Sequence, residues 1–205
     1  MAMKAGEVYD SNKWGQMKVL KYESAGKVLV EFIDTGYTKY AEACNIRRGG
    51  VKDMLAPSVW GVGYLGEGAY TRGHKGNRVW DDMLRRCYDT KTQGRYPTYS
   101  VAKEWHNFQA FAKWFDDHYI DGYELDKDIK VPGNKVYGPS TCMFVTHTEN
   151  IVAAVAKSYN ILFNGKEVEV YNLLKFCREN GLKYQRVHYS VTKGKKVVDV
   201  KKYLV

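Results

Sequence analysis

The chain has no Cys-x-x-Cys pair. Its four cysteines, Cys44, Cys87, Cys142 and Cys177, lie far apart, which excludes the thiolate spacing of a zinc knuckle, and no zinc is expected. They read as buried free thiols in a reducing cytoplasm. No long apolar run occurs, and the opening residues MAMKAGEVYD carry no apolar stretch. Neither a membrane span nor a signal peptide is therefore expected, and the expected location is cytoplasmic. The four glycines of WGVGYLGEGAY, residues 60–70, have no Gly-Lys-Ser/Thr after them, so they are not a phosphate loop. They read as a linker or an edge turn.

What is present is a folding composition. Of 205 residues, 44% are hydrophobic and 27% charged, with 17 Tyr, 7 Phe and 5 Trp. Such a chain buries a core and is not disordered over most of its length. Its net charge of +9 and pI of about 9.2 favour an anionic partner, most commonly nucleic acid. The excess is uneven. Residues 1–65 hold nine basic against seven acidic side chains, residues 66–157 thirteen against twelve, and residues 158–205 ten against four.

The patterning divides the chain into three segments, and the expected class is α+β. Residues 1–65 alternate apolar and polar side chains in WGQMKVLKY and KVLVEFIDTGY, with turns at Ser24-Ala25-Gly26 and Asp34-Thr35-Gly36, and IRRGGVKDML reads as a further turn and short strand. A small SH3-like β-barrel fits this length. Residues 66–157 are mixed. Trp80, Met83, Leu84, Cys87 and Tyr88 recur at helical spacing, as do Phe108, Phe111, Trp114 and Phe115, which predict a helix over 102–117. These aromatics read as core. Residues 158–205 predict a hairpin turned at Asn164-Gly165, a helix over 172–179 stopped by Asn180-Gly181, and a second helix starting near Lys183. Helix, glycine turn, helix is the helix-turn-helix pattern.

The stretch LDKDIKVPGNKVYGPSTCMFV, residues 125–145, predicts two strands around a loop. A strand side-chain period of two places Asp126 and Asp128 on one face. The second strand spans 141–145. A helix beginning near Thr148 then presents Asn150 toward the same pocket. Strand, loop, strand, helix is the order of a ββα-metal nuclease finger, and carboxylate and amide oxygens suit Mg²⁺.

GYELDKDIKVPGNKVYGPSTCMFVTHTENI, residues 122–151, resembles the core of phage and intron-encoded HNH homing endonucleases, with FVTHTEN the closest piece. WDDMLRRCYD and YPTYSVAKEWHNFQAFAKWF resemble the helical lead-in of a phage group of this kind. YNLLKFCRENGL is similar to the helix-turn-helix repeats appended to such nucleases. The amino-terminal segment resembles a domain of some phage relatives. The resemblance implies three domains: an SH3-like barrel over 1–65, an HNH-like ββα-metal domain with helical lead-in over 66–157, and a helix-turn-helix module over 158–205. It implies metal-dependent cleavage or nicking of double-stranded DNA with Mg²⁺ or Mn²⁺, in a monomer, in the bacterial host cytoplasm if the gene is a phage's.

The residues implied in catalysis are Asp126, Asp128, Asn134 and Asn150, with Asp126, Asp128 and Asn150 as metal ligands. The family's paired histidines read here as Leu125 and Asp126, and the asparagine opening its second strand reads as Thr141. Either Asp126 acts as base or metal ligand, or the finger is a DNA-binding scaffold without catalysis. His147 stands close by and supplies an imidazole; otherwise it is a polar residue at a helix start. Candidate DNA contacts are Lys135 on the loop, Arg78, Arg85 and Arg86 on a helix where they also meet Asp81 and Asp82, and Tyr184, Gln185, Arg186 and His188 on the second helix of the pair. Lys193, Lys195 and Lys196 come next as phosphate contacts. His74 reads as an exposed loop histidine. A third possibility is a module that binds a host protein through the barrel.

Overall fold

The computed structural model describes residues 2–91, 98–131, 133–155, 157–193 and 198–199. In chain order the elements are β1 (Val8–Asp10), β2 (Gln16–Ser24), β3 (Lys27–Phe32), β4 (Thr38–Ala41), α1 (Ala43–Arg47), α2 (Gly76–Tyr88), β5 (Ser100–Val101), a 3₁₀ turn (Lys103–His106) and α3 (Phe108–His118). Next come β6 (Glu124–Asp126), β7 (Val136–Tyr137), β8 (Met143–Val145), α4 (His147–Val155), β9 (Tyr159–Phe163), β10 (Lys166–Val170), α5 (Leu173–Glu179), α6 (Tyr184–Thr192) and β11 (Val198–Asp199). The class is α+β. The chain divides into two compact units that interleave in sequence. The first comprises Met1–Tyr119 and Gly133–Cys142, the second Ile120–Pro132 and Met143–Val205.

In the first unit, β1 to β4 form one antiparallel sheet in chain order. Met17 pairs with Phe32 and Val19 with Val30, so the period of two sends Met17, Val19, Val28, Val30 and Phe32 to one buried face. Ala43, Ile46 and Val51 complete that core. The sheet is not closed: among the described residues β1 pairs only with β2 and β4 only with β3. The barrel expectation is corrected, and so is that of a turn and strand over IRRGGVKDML. Its start belongs to α1, which Gly49 ends with φ +65°, a conformation that glycine adopts without strain. Residues 50–58 form neither helix nor strand. Within them buried Asp53 accepts the Thr35 hydroxyl at 2.6 Å and the Leu55 N–H at 2.8 Å.

The rest of the first unit is built on aromatics. Trp80, Met83, Leu84 and Cys87 of α2 are buried, as are Trp105, Phe108, Phe111, Trp114 and Phe115. Trp105 lies 5.1 Å from Phe111 and 4.8 Å from Trp114 between ring centroids, spacings at which aromatic pairs add to simple burial. The buried Trp80 indole N–H donates to the Trp105 carbonyl at 2.6 Å. The single helix expected over 102–117 is two pieces, because Asn107 is extended and its side chain caps α3 by accepting the Gln109 N–H. The glycine stretch folds onto this core. A Cβ at Gly63 would lie 2.5 Å from Leu84 Cδ1, so this position needs glycine for close approach. Three cysteines are buried as expected; Cys44 is exposed.

In the second unit β6 pairs antiparallel with β8, matching Glu124 with Val145 and Asp126 with Met143. A capping box precedes helix α4: the Thr146 N–H and hydroxyl donate to Glu149 Oε2 at 2.9 and 2.8 Å, and the Glu149 N–H returns to the Thr146 hydroxyl at 3.2 Å. Strands β9 and β10 form the hairpin foreseen at Asn164-Gly165, both residues having positive φ, as a two-residue primed turn requires. Strand β11 adds parallel to β9. Asn172 caps α5 through the Lys175 N–H. At its far end Gly181 has φ +62° and the Leu182 N–H reaches the Cys177 carbonyl at 2.8 Å, the hydrogen bond of a Schellman stop. Leu182 is thereby buried with Ile161, Val170, Leu173, Cys177 and Val187. Burial pushes the Cys177 thiol up, which keeps it a neutral core residue.

Candidate functional site

The strand pair β6–β8 and the start of α4 gather one polar cluster. Glu124 opens β6. Its Oε1 lies 2.7 Å from His147 Nδ1, and its Oε2 accepts the Asn150 amide N–H at 2.6 Å. His147 and Asn150 are three residues apart on α4, so they share a face over the same carboxylate. The capping box fixes where that face begins. In it the backbone N–H and then the hydroxyl of Thr146 hold the Glu149 carboxyl below its ordinary value. Glu124 thus has its two oxygens divided between an imidazole and an amide, and His147 remains exposed.

Asn150 was expected to face the aspartates; its amide is instead on Glu124. The strand also ends too early for Asp126 and Asp128 to share its face. Asp126 is the last residue of β6. Its Oδ1 accepts the N–H groups of Asp128 and Ile129 at 2.8 and 2.7 Å, a local turn in which the side chain replaces a strand partner. Asp128 then lies beyond the strand and pairs with Lys127 Nζ at 2.6 Å. Lys127 is buried, 3% exposed, and this carboxylate compensates its charge.

The donor chemistry bears on the implied divalent metal. Asp126 Oδ1 is engaged by two backbone donors, Asp128 Oδ2 by an ammonium, and both Glu124 oxygens by side chains. Among the described residues no group of three or more His, Cys, Asp or Glu is placed to hold a metal ion. The side chains implied as ligands, Asp126, Asp128 and Asn150, are thus turned to separate partners, whereas magnesium takes one or two carboxylates and keeps several waters.

Asn134 and Lys135 belong to the first unit. Asn134 braces its own loop: its amide donates to the Val136 carbonyl at 2.7 Å and its Oδ1 accepts the Val136 N–H at 3.2 Å. Lys135 is exposed. On α2, Arg78 and Arg86 are exposed, while Arg85 pairs with Asp82 at 2.9 Å. His74 is not the solvated loop residue expected. Its Nδ1 accepts the Gly76 N–H at 3.1 Å, its Nε2 meets Asp116 at 2.9 Å, and Tyr70, Phe108 and Phe115 ring it. It pins the start of α2.

The second polar surface is α6. Gln185, Arg186, Tyr189, Thr192 and Lys193 are exposed, and offsets of one, four, seven and eight from Gln185 put them on one side of a helix. Val187 is the buried counterpart. Lys193 Nζ stands 5.5 Å from the Tyr189 ring, a cation–π distance. Tyr184 and His188, also expected on the outer face, are half-buried instead: His188 packs 5.3 Å from Tyr184 and 6.2 Å from Tyr159 of β9. Lys195 and Lys196 lie outside the described residues.

The residue that sequence reasoning missed is Glu124. The signal was present in the period of two across Glu124-Leu125-Asp126, which puts the glutamate on the same strand face as Asp126. No family model, curated protein or solved structure matches the chain.

Proposed function

We propose that this chain is a double-stranded DNA-binding protein of the HNH endonuclease kind, in which α5, the Gly181 turn and α6 supply sequence choice. The observation that carries the reading is the exposed face of α6, where Gln185, Arg186, Tyr189 and Lys193 stand together on the second helix of the pair. Such a helix enters the major groove, where Arg and Gln pair with guanine and adenine edges. The excess of basic side chains in this last quarter of the chain supplies attraction to phosphate.

Hydrolysis of the phosphodiester backbone is the activity we assign to the β6–β8–α4 arrangement. The specific support is the pairing of an exposed imidazole, His147, with the Glu124 carboxylate at 2.7 Å. If cleavage is absent, the chain is a DNA-binding scaffold without catalysis.

The test is affinity for duplex DNA measured by fluorescence anisotropy at several salt concentrations. Contact with roughly six phosphates predicts a fall of about a thousandfold between about 50 and 200 mM salt. An affinity that is weak and flat in salt would end the DNA reading and turn attention to a protein partner.

A further inference from the structure

We propose that His147, oriented by Glu124, is the proton acceptor that activates water for phosphodiester hydrolysis, with Glu124 as its positioning residue. The proposal rests on the hydrolytic reading above and assigns the role that Asp126 leaves open.

Asp126 is badly placed for that role. Two backbone N–H groups already claim its Oδ1 at 2.8 and 2.7 Å, which commits that oxygen to the local turn. An imidazole titrates near neutrality and is the better acceptor there. The chain has five histidines, and four are committed otherwise. His74 has both ring nitrogens engaged, by the Gly76 N–H and Asp116. His106 meets the Val101 carbonyl and the Tyr88 hydroxyl, and burial disfavours its charged form. His118 meets a neutral carbonyl, that of Trp114, at 2.7 Å and stacks on the Trp114 ring. His188 packs between Tyr184 and Tyr159.

His147 differs from all of these. Its Nδ1 faces a carboxylate at 2.7 Å, and its side chain is 70% exposed. With Nδ1–H donated to Glu124, the tautomer is set and Nε2 is the lone-pair nitrogen directed away from the carboxylate. A carboxylate at Nδ1 also stabilises the imidazolium formed when Nε2 takes a proton. The Asn150 amide on Oε2 at 2.6 Å holds the carboxylate in place. This is base plus orienting carboxylate, assembled from a strand and the first turn of a helix.

The step balances with water alone as co-reactant. The water oxygen bonds to phosphorus while one of its protons passes to His147 Nε2. The bond from phosphorus to one sugar oxygen breaks, and that oxygen takes a proton from solvent. The imidazolium returns its proton to solvent, and the other products are a phosphate monoester and a hydroxyl end.

The experiment is cleavage of supercoiled plasmid and genomic DNA by the full chain in magnesium or manganese buffer, with DNA affinity measured in parallel. His147→Ala is expected to lose about a hundredfold or more of the rate with unchanged DNA affinity, and free imidazole is expected to restore part of it. Glu124→Gln is expected to lower kcat while leaving KM for DNA unchanged, without rescue by imidazole. His118→Ala serves as a control that keeps its rate. Cleavage by wild type with an undiminished His147→Ala variant overturns the proposal and leaves the hydrolytic reading standing. Loss of rate without imidazole rescue, or with an equal loss of DNA affinity, also overturns it. No cleavage by wild type removes both readings.

Discussion

The Asp126 carboxylate closes on the backbone of Ile129, three residues ahead, accepting its N–H at 2.7 Å through the same Oδ1 that takes the Asp128 N–H. The acceptor matters here more than the charge. Asp126→Asn keeps a side-chain oxygen in that position and is expected to melt close to wild type. Asp126→Ala leaves both donors without it and is expected to cost about 1–2 kcal/mol. Thermal melts of the three proteins check this; equal losses for Asn and Ala would show that charge governs.

Lys127 and Asp128 form a pair with one buried and one partly open member. Removing the open member takes one carboxylate from the buried ammonium. Asp128→Ala is expected to destabilise by about 1–2 kcal/mol, a modest figure because water screens the aspartate. Lys127→Met added to Asp128→Ala should recover part of the loss, since the ammonium that lost this carboxylate is then gone. The double-mutant cycle is read from urea denaturation, and additive losses would refute the pairing argument.

Glu23 gives the pH dependence of the open sheet. Lys27 first, then Lys21 and the Tyr40 hydroxyl, lower its carboxyl to about 2. A carboxyl lowered by folding contributes stability that is present above its ordinary range and is lost as pH falls through the folded value. The contribution of Glu23 is therefore full above about pH 5 and gone by a pH of about 2. The melting difference between wild type and Glu23→Gln should shrink to nothing across that window. The site is exposed, so the difference is small throughout. A difference that stays constant down to pH 2 would remove the ion-pair explanation.

On α6 the outer and inner side chains should separate cleanly. Arg186→Ala and Gln185→Ala are expected to cost about 1–3 kcal/mol on the preferred site and to relax base choice. Lys193→Ala should weaken all sequences alike and reduce the salt slope by about one. His188→Ala should lower the melting temperature instead, because it packs against Tyr159 and Tyr184. Binding curves on a randomised duplex library distinguish these outcomes.

Much of the fold was legible where the controlling forces are local. The repeats that became α2 and α3, the Asn164-Gly165 hairpin and the Gly181 stop are written in neighbouring residues. Closure of the first sheet was not, since no local pattern tells whether a sheet's edges meet. Helix α1, five residues long, is too short to show a helical period. The candidate site was legible in outline: β6, β8 and α4 stand in the expected order. Its centre was not, because Glu124 and His147 meet only through pairing across a long loop. The inward turn of Tyr184 and His188 likewise depends on β9, which no reading of α6 alone contains.

The interleaving of the two units bears on how such a gene can be shuffled. β5 pairs with β7 in the first unit and β6 with β8 in the second, yet the strands alternate along the chain. A single recombination junction anywhere from residue 127 to 135 leaves β5 and β6 from one parent with β7 and β8 from the other. Both pairings must then form between sequences that never evolved together, and Glu124 would face a foreign partner in place of His147. Among the described residues the helix pair after α4 has no such strand pairing to the segments before β9. It shares one core with β9 and β10, so the stretch from Tyr159 onward can be exchanged as one piece without disturbing the strands and helix that hold Glu124 to His147.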